Sequence, residues 1–207
     1  MPPKIRRTGL VDRRIQHRDA TIFVLATEGT ETERQYFLGL QARGIIDRSR
    51  IHLEVIATPR EDTTSAPKHV LARLADFATR YRLIEGMDEL WLVIDVDRWP
   101  EQQLSEVAQE ASQKRFSLAV SNPCFELWLL LHLRSEVAEI RCCDDCAFAL
   151  RATLGAYNKS RLDMDQFPRA LVESALQRAA AVDDAGERWP TTTGSHVHRL
   201  VRRLLEV

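Results

Sequence analysis

The residues best able to do chemistry in this chain are acids set at the ends of apolar runs. Glu28 follows TIFVLAT, while Asp95 and Asp97 close ELWLVIDVD. Clustered carboxylates repel one another and resist burial unless a cation neutralises them. If these runs are strands, residues two apart point the same way, so Asp95 and Asp97 present a chelating pair. With Glu28 they form a hard-oxygen set suited to Mg²⁺, with Mn²⁺ as a substitute, and magnesium can bridge to substrate phosphates. A plainer reading has Asp95 and Asp97 opening a loop and capping a helix that begins near Pro100. Glu28, at the matching position on another strand, favours the metal.

The elements that must position these acids follow from periodicity. Residues 21–26 (TIFVLA) are β-branched and apolar, a buried strand. The next segment, TEGTETE, turns at Gly29 into a helix that Thr30 or Thr32 can cap. Glu31 and Glu33 in its first turn suit the helix dipole, and it ends at Gly44 with Tyr36, Phe37 and Leu40 facing inward. Residues 51–57 read as a second strand, PREDTTSAP as a polar loop, and residues 68–83 as an amphipathic helix. Residues 89–96 are the strongest strand and the expected centre of the sheet. A helix from Pro100 carries Leu104, Val107 and Ala111. Residues 116–120 make a further strand before SNPCFELWLLLHL, where Pro123 suits a helix's first turn. This β-α-β-α-β-α-β-α order predicts an α/β fold, a mostly parallel sheet flanked by helices on both faces, with ligands beyond the carboxyl ends of its strands. Residues 141–207 read as all helix, so the predicted division is a basic arm over 1–20, a core over 21–140 and a C-terminal helical appendage over 141–207 packed on that core.

Composition narrows the class. The chain has 207 residues, 44% hydrophobic and 29% charged, an ordinary globular balance. No stretch approaches the roughly 18 apolar residues of a membrane span, and no secretory apolar core follows the basic start, so a cytoplasmic protein without membrane contact is expected. A net charge of −1 does not point to nucleic acid, but Lys4, Arg6, Arg7, Arg13, Arg14 and Arg18 crowd the start. They make either a phosphate-binding arm or a solvated tail. Three of the four cysteines sit in RCCDDC. Cys143 and Cys146 have the spacing of half a zinc site without a second half, so reduced thiols are the plainer expectation.

The strand followed by EGTETE, and the later strand ending in DVD, resemble the TOPRIM fold, the catalytic domain of topoisomerases, primases and several nucleases, in which a Glu and a DxD pair bind magnesium. More closely, EGTETERQYF, ELWLVIDVD, AVSNPCFELWLLLH and the closing TTTGSHVHRLV are similar to the RloB-like family, TOPRIM proteins of bacterial defence and restriction loci. The family usually shows a Cys before the Glu and a Lys within EGEKTE. Here Thr27 and Glu31 hold those positions, which removes a phosphate contact, while Glu28 and Glu33 keep theirs.

The resemblance implies a Mg²⁺-dependent nuclease acting on RNA or DNA in anti-phage defence, with Glu28, Asp95 and Asp97 as metal ligands and catalytic groups, and Glu28 alternatively a general base. Asn122 and Glu126, at a strand mouth and a helix's first turn, are expected to line the substrate site, unless Glu126 serves only to complement the helix dipole. Tyr157 and Lys159 in AYNKSR resemble a family position and either touch substrate or belong to an ordinary surface loop. Arg199, Arg202 and Arg203 either extend that surface or form a solvated helix face, and His132 reads as a structural histidine. A non-catalytic nucleic-acid or partner-binding subunit of a defence complex is the second reading, and a nucleotidyl transferase or small-nucleotide hydrolase the third. The assemblies considered are a homodimer and a complex with a defence partner protein.

Overall fold

The computed structural model describes residues 20–58, 66–81, 83–97, 99–183 and 186–207. The basic arm, but for its last residue, and most of PREDTTSAP lie outside them. The apolar runs become strands of one five-stranded sheet: β1 (Thr21–Thr27), β2 (Ile51–Ile56), β3 (Glu89–Asp95), β4 (Ser117–Asn122) and β5 (Gly194–Ser195), in the order β2-β1-β3-β4-β5. The first four run parallel, and β5 pairs antiparallel with β4. Seven helices among the described residues flank the sheet: α1 (Thr32–Ala42), α2 (Pro67–Arg80), α3 (Glu101–Gln113), α4 (Phe125–Leu133), α5 (Cys143–Leu154), α6 (Arg169–Ala181) and α7 (Val197–Glu206).

Strand alternation divides the core. Phe23, Leu25, Trp91 and Val93 point to one face, packed with Tyr36 and Phe37 of α1, nearly all of α4 and the inward residues of α5 to α7. Ile22, Val24, Leu92 and Ile94 point to the other, packed with Val70 and Leu74 of α2 and Leu104 and Val107 of α3. Helix α4 is apolar all round and correspondingly buried, with other helices wrapped about it. At its end His132 lies in an aromatic cage. Its Nδ1 faces the Trp128 carbonyl at 2.9 Å and must carry the proton, so Nε2 accepts from the Tyr36 hydroxyl at 2.9 Å. It is the structural histidine expected.

Three expectations shift. Asp95 is the last residue of β3, so Asp97 lies in the turn beyond and strand alternation does not govern its direction. Pro123 precedes α4, with Cys124 at the N-cap, because the chain is still extended as it leaves β4. The C-terminal region is not all helix. Gly194 and Ser195 add a strand, while Val172, Ala175, Val197, Leu200 and Leu204 share a core cluster with β1.

Sheet order places the site. From β1 the chain moves to β2 on one side, and from β3 it moves to β4 on the other, so connections diverge at the carboxyl ends of β1 and β3. A crevice opens at such a switch point. The Glu28 N–H continues the ladder to the Val93 carbonyl at 2.9 Å, setting Glu28 beside the end of β3.

Candidate active site

A cleft of about 350 Å³ opens at that crevice, and among the described residues its walls carry the carboxylates of Glu28, Glu31, Glu33, Asp95, Asp97 and Glu126 against one cation, Lys159. A larger hollow of about 510 Å³ near the amino end of β4 is lined by Trp91, Phe116 and Arg188 and, among the described residues, by no acid. The chemistry-bearing groups gather in the smaller one.

Each acid is positioned differently. Glu28 Oε2 accepts the Asp95 backbone N–H at 3.1 Å, and its Oε1 accepts the Trp99 indole N–H at 3.0 Å. Asp97, exposed in the turn after β3, accepts the Cys143 thiol at 3.1 Å. Contact with the Cys124 thiol, burial and Asp97 together push the Cys143 thiol well above its usual range. Glu33 folds back from α1 so that Oε1 accepts the Gly29 N–H at 2.9 Å. A Cβ on residue 29 would stand 2.1 Å from the Glu33 carboxylate, so this approach requires glycine.

The electrostatics are unbalanced. Burial, then the neighbouring Glu126 and Glu28, push Glu33 up to about 7. Burial, then Glu33, Glu28 and Glu126, raise half-buried Asp95 well above the carboxylate range. Both groups tend to hold protons because burial and the neighbouring carboxylates disfavour their charged forms. Glu126 behaves oppositely. Burial alone would raise it, but Lys159, with Nζ 2.9 Å from Oε1, outweighs burial and draws it below the usual range. The same oxygen accepts the Tyr157 hydroxyl at 3.0 Å.

Lys159 reaches the cleft from the segment after α5, which is tied to α1. Thr32 Oγ1 donates to the Lys159 carbonyl at 3.0 Å, Gln35 Nε2 to the Ser160 carbonyl at 3.1 Å, and the Leu162 N–H to Gln35 Oε1 at 2.8 Å. The cleft is therefore shared between the sheet edge and the C-terminal region.

Of the expected site residues, Glu28, Asp95, Asp97, Glu126 and Lys159 line this one cleft. Asn122 does not line it; its amide donates to the Pro190 carbonyl at 3.0 Å and tethers the TTTGSH segment, because β5 occupies the space beside it. Arg199 and Arg203 are engaged in ion pairs with Asp183 and Glu89. Glu33 and Cys143 line the cleft without having been assigned to it. The Gly29–Glu33 spacing of one helical turn was the available signal for Glu33, and nothing local marks Cys143.

The donor set is one of hard oxygens, and two of its acids are strained towards protonation, which a divalent cation would relieve. Among the described residues, no three His, Cys, Asp or Glu side chains stand together as a ready-made metal cage. Mg²⁺, which keeps several waters and takes only one or two carboxylates, fits such a site better than an ion needing a full protein shell. The cysteines are free thiols, with Cys124 and Cys146 buried. No described helix is long and apolar enough to cross a membrane.

Comparison with known proteins agrees with the motifs. No curated protein and no solved structure matches the chain. A family model described as RloB-like protein matches residues 23–204, a span that takes in the cleft, every strand but the first two residues of β1, and nearly all of α7. With that coverage, the chain belongs to the RloB-like family.

Proposed function

We propose that this chain is a Mg²⁺-dependent phosphodiesterase of the TOPRIM type, cutting RNA or DNA in bacterial anti-phage or restriction-linked defence. The observation that carries the reading is the charge imbalance at the switch-point crevice, where, among the described residues, six acids face one lysine. An anionic phosphodiester cannot enter such a cleft unless cations come with it. Asp95, Asp97 and Glu28 are the residues that would hold Mg²⁺, with Mn²⁺ able to replace it. The chemistry supplied by the bound ion is neutralisation and polarisation of the scissile phosphate.

The chain's own groups do the rest. Glu28 is fixed by N–H donors at both oxygens, so it is oriented before substrate arrives. Lys159 has a side chain 55% exposed, and it can turn from Glu126 to meet a backbone phosphate while Tyr157 keeps Glu126 in place. Glu33, poised near neutrality, can hold or release a proton at the cleft wall.

Two observations favour a second reading, a nucleic-acid- or partner-binding subunit of a defence complex without turnover. Glu28 and Asp97 are already engaged by Trp99 and Cys143, and the family's EGEKTE lysine is Glu31 here. Incubation of the purified protein with total RNA and with plasmid DNA, with Mg²⁺, Mn²⁺ or EDTA, separates the two. Metal-dependent cutting that disappears in the Asp95→Ala/Asp97→Ala double variant supports the nuclease. Binding without cutting, by folded wild type, supports the subunit.

A further inference from the structure

Glu28 lies among acids that repel it, yet its side chain is gripped from two sides. The Asp95 backbone N–H that reaches Oε2 comes with the β1–β3 pairing, and any non-proline residue at 95 would supply it. The donor to Oε1 is different, because it depends on a single side chain. Trp99 stands in the turn after β3, where its own N–H reaches the Val96 carbonyl at 3.1 Å and its ring packs against the apolar cluster beneath α2 and α3. A ring held by packing leaves the indole N–H with a set direction, and that direction ends on Glu28 at 3.0 Å. Indole nitrogen is a donor only, so it serves a carboxylate without competing for a cation. A carboxylate offers roughly four acceptor positions, and two N–H bonds orient the group without by themselves shutting out an ion.

We infer that Trp99 is the positioning residue of Glu28, fixing the carboxylate in the attitude from which it meets a divalent cation in the cleft. This rests on the cleft being a cation site, as proposed above. Partners that orient a metal ligand typically matter by about 10–100-fold in metal affinity. Trp99→Phe keeps the apolar ring and removes the donor, so it isolates the bond from the packing.

The test uses the full chain and Mg²⁺ alone, without nucleic acid. Calorimetric titration is expected to show about tenfold weaker Mg²⁺ binding by Trp99→Phe at unchanged stoichiometry, with the thermal melt in EDTA close to wild type. In ¹⁵N-labelled wild-type protein, the Trp99 indole N–H resonance is expected to move more on Mg²⁺ addition than those of Trp91, Trp128 and Trp189. That measurement needs no variant, so it stands even if Trp99→Phe does not fold. Equal Mg²⁺ affinity in the two proteins, or a Trp99 resonance indifferent to Mg²⁺, overturns the positioning role and leaves the cation site intact. Wild type that binds no Mg²⁺ by either method overturns both.

Discussion

Two clusters of buried or half-buried charge sit on this fold, and they are built on opposite terms. Around Asp183, one carboxylate receives Arg199 through two bonds of 2.9 and 2.7 Å, and the imidazoles of His196 and His198 stand 2.9 and 3.2 Å away. Burial would raise Asp183, but Arg199 and the histidines outweigh it and hold the carboxyl below its usual range. Among the described residues of the cleft the count runs the other way, with many acids and one lysine, and Asp95 and Glu33 are pushed upward. The first cluster is closed and holds α7 to the segment after α6. In the second, among the described residues, Lys159 alone faces six acids, and a cation from solution would redress that balance.

The comparison is most easily broken by deleting an acid from each cluster, since the two deletions should move stability in opposite directions. Asp183→Ala strands Arg199 and two buried histidines and is expected to cost about 2–4 kcal/mol, read as a lowered urea midpoint at unchanged slope. Glu33→Gln should instead stabilise the metal-free protein at pH 8, by about 2–3 kcal/mol at the usual ~1.4 kcal/mol per pKa unit. The sign follows from linkage. Glu33 rises on folding from 4.5 to about 7, so the folded chain keeps a proton that the unfolded chain has lost. Stability therefore falls as pH climbs through that window and stays low above it, and the fall should flatten in the variant. Melts of both proteins in EDTA from pH 5 to pH 8 decide the point.

Smaller effects sharpen the contrast. At pH 8, Mg²⁺ at about ten times its dissociation constant should stabilise wild type by roughly 1.4 kcal/mol, and this gain should vanish in Asp95→Ala/Asp97→Ala but persist in Asp183→Ala, as followed by thermal melts. Tyr157→Phe removes one bond to Glu126 and should cost about 0.5–1.5 kcal/mol in chemical denaturation, the least of the four, because Lys159 still pairs with that carboxylate.

The sheet was legible because its strands are short, β-branched and buried, so TIFVLAT and ELWLVID carry their own pattern. The fifth strand was not, since Gly194 and Ser195 have no apolar alternation and owe their pairing to β4. The acids Glu28, Asp95 and Asp97 could be placed at one edge because parallel strands end together. The closing of the cleft by Cys143 and Lys159 depends on helix packing between distant segments, which no local spacing encodes. Asn122 was misplaced for the same reason: its neighbour in space, Pro190, lies far along the chain.

The seating of Lys159 against Thr32 and Glu126 also fixes when the site comes into being during synthesis. A chain still being made can pair β1 with β3 and bring its acids to the edge of the sheet long before residue 159 has left the ribosome. Until then the acidic edge lacks Lys159 and the segment that walls it in. The finished cleft is thus younger than the sheet edge that carries its acids, and a messenger cut short before this segment would yield acids at a strand edge without the site they belong to.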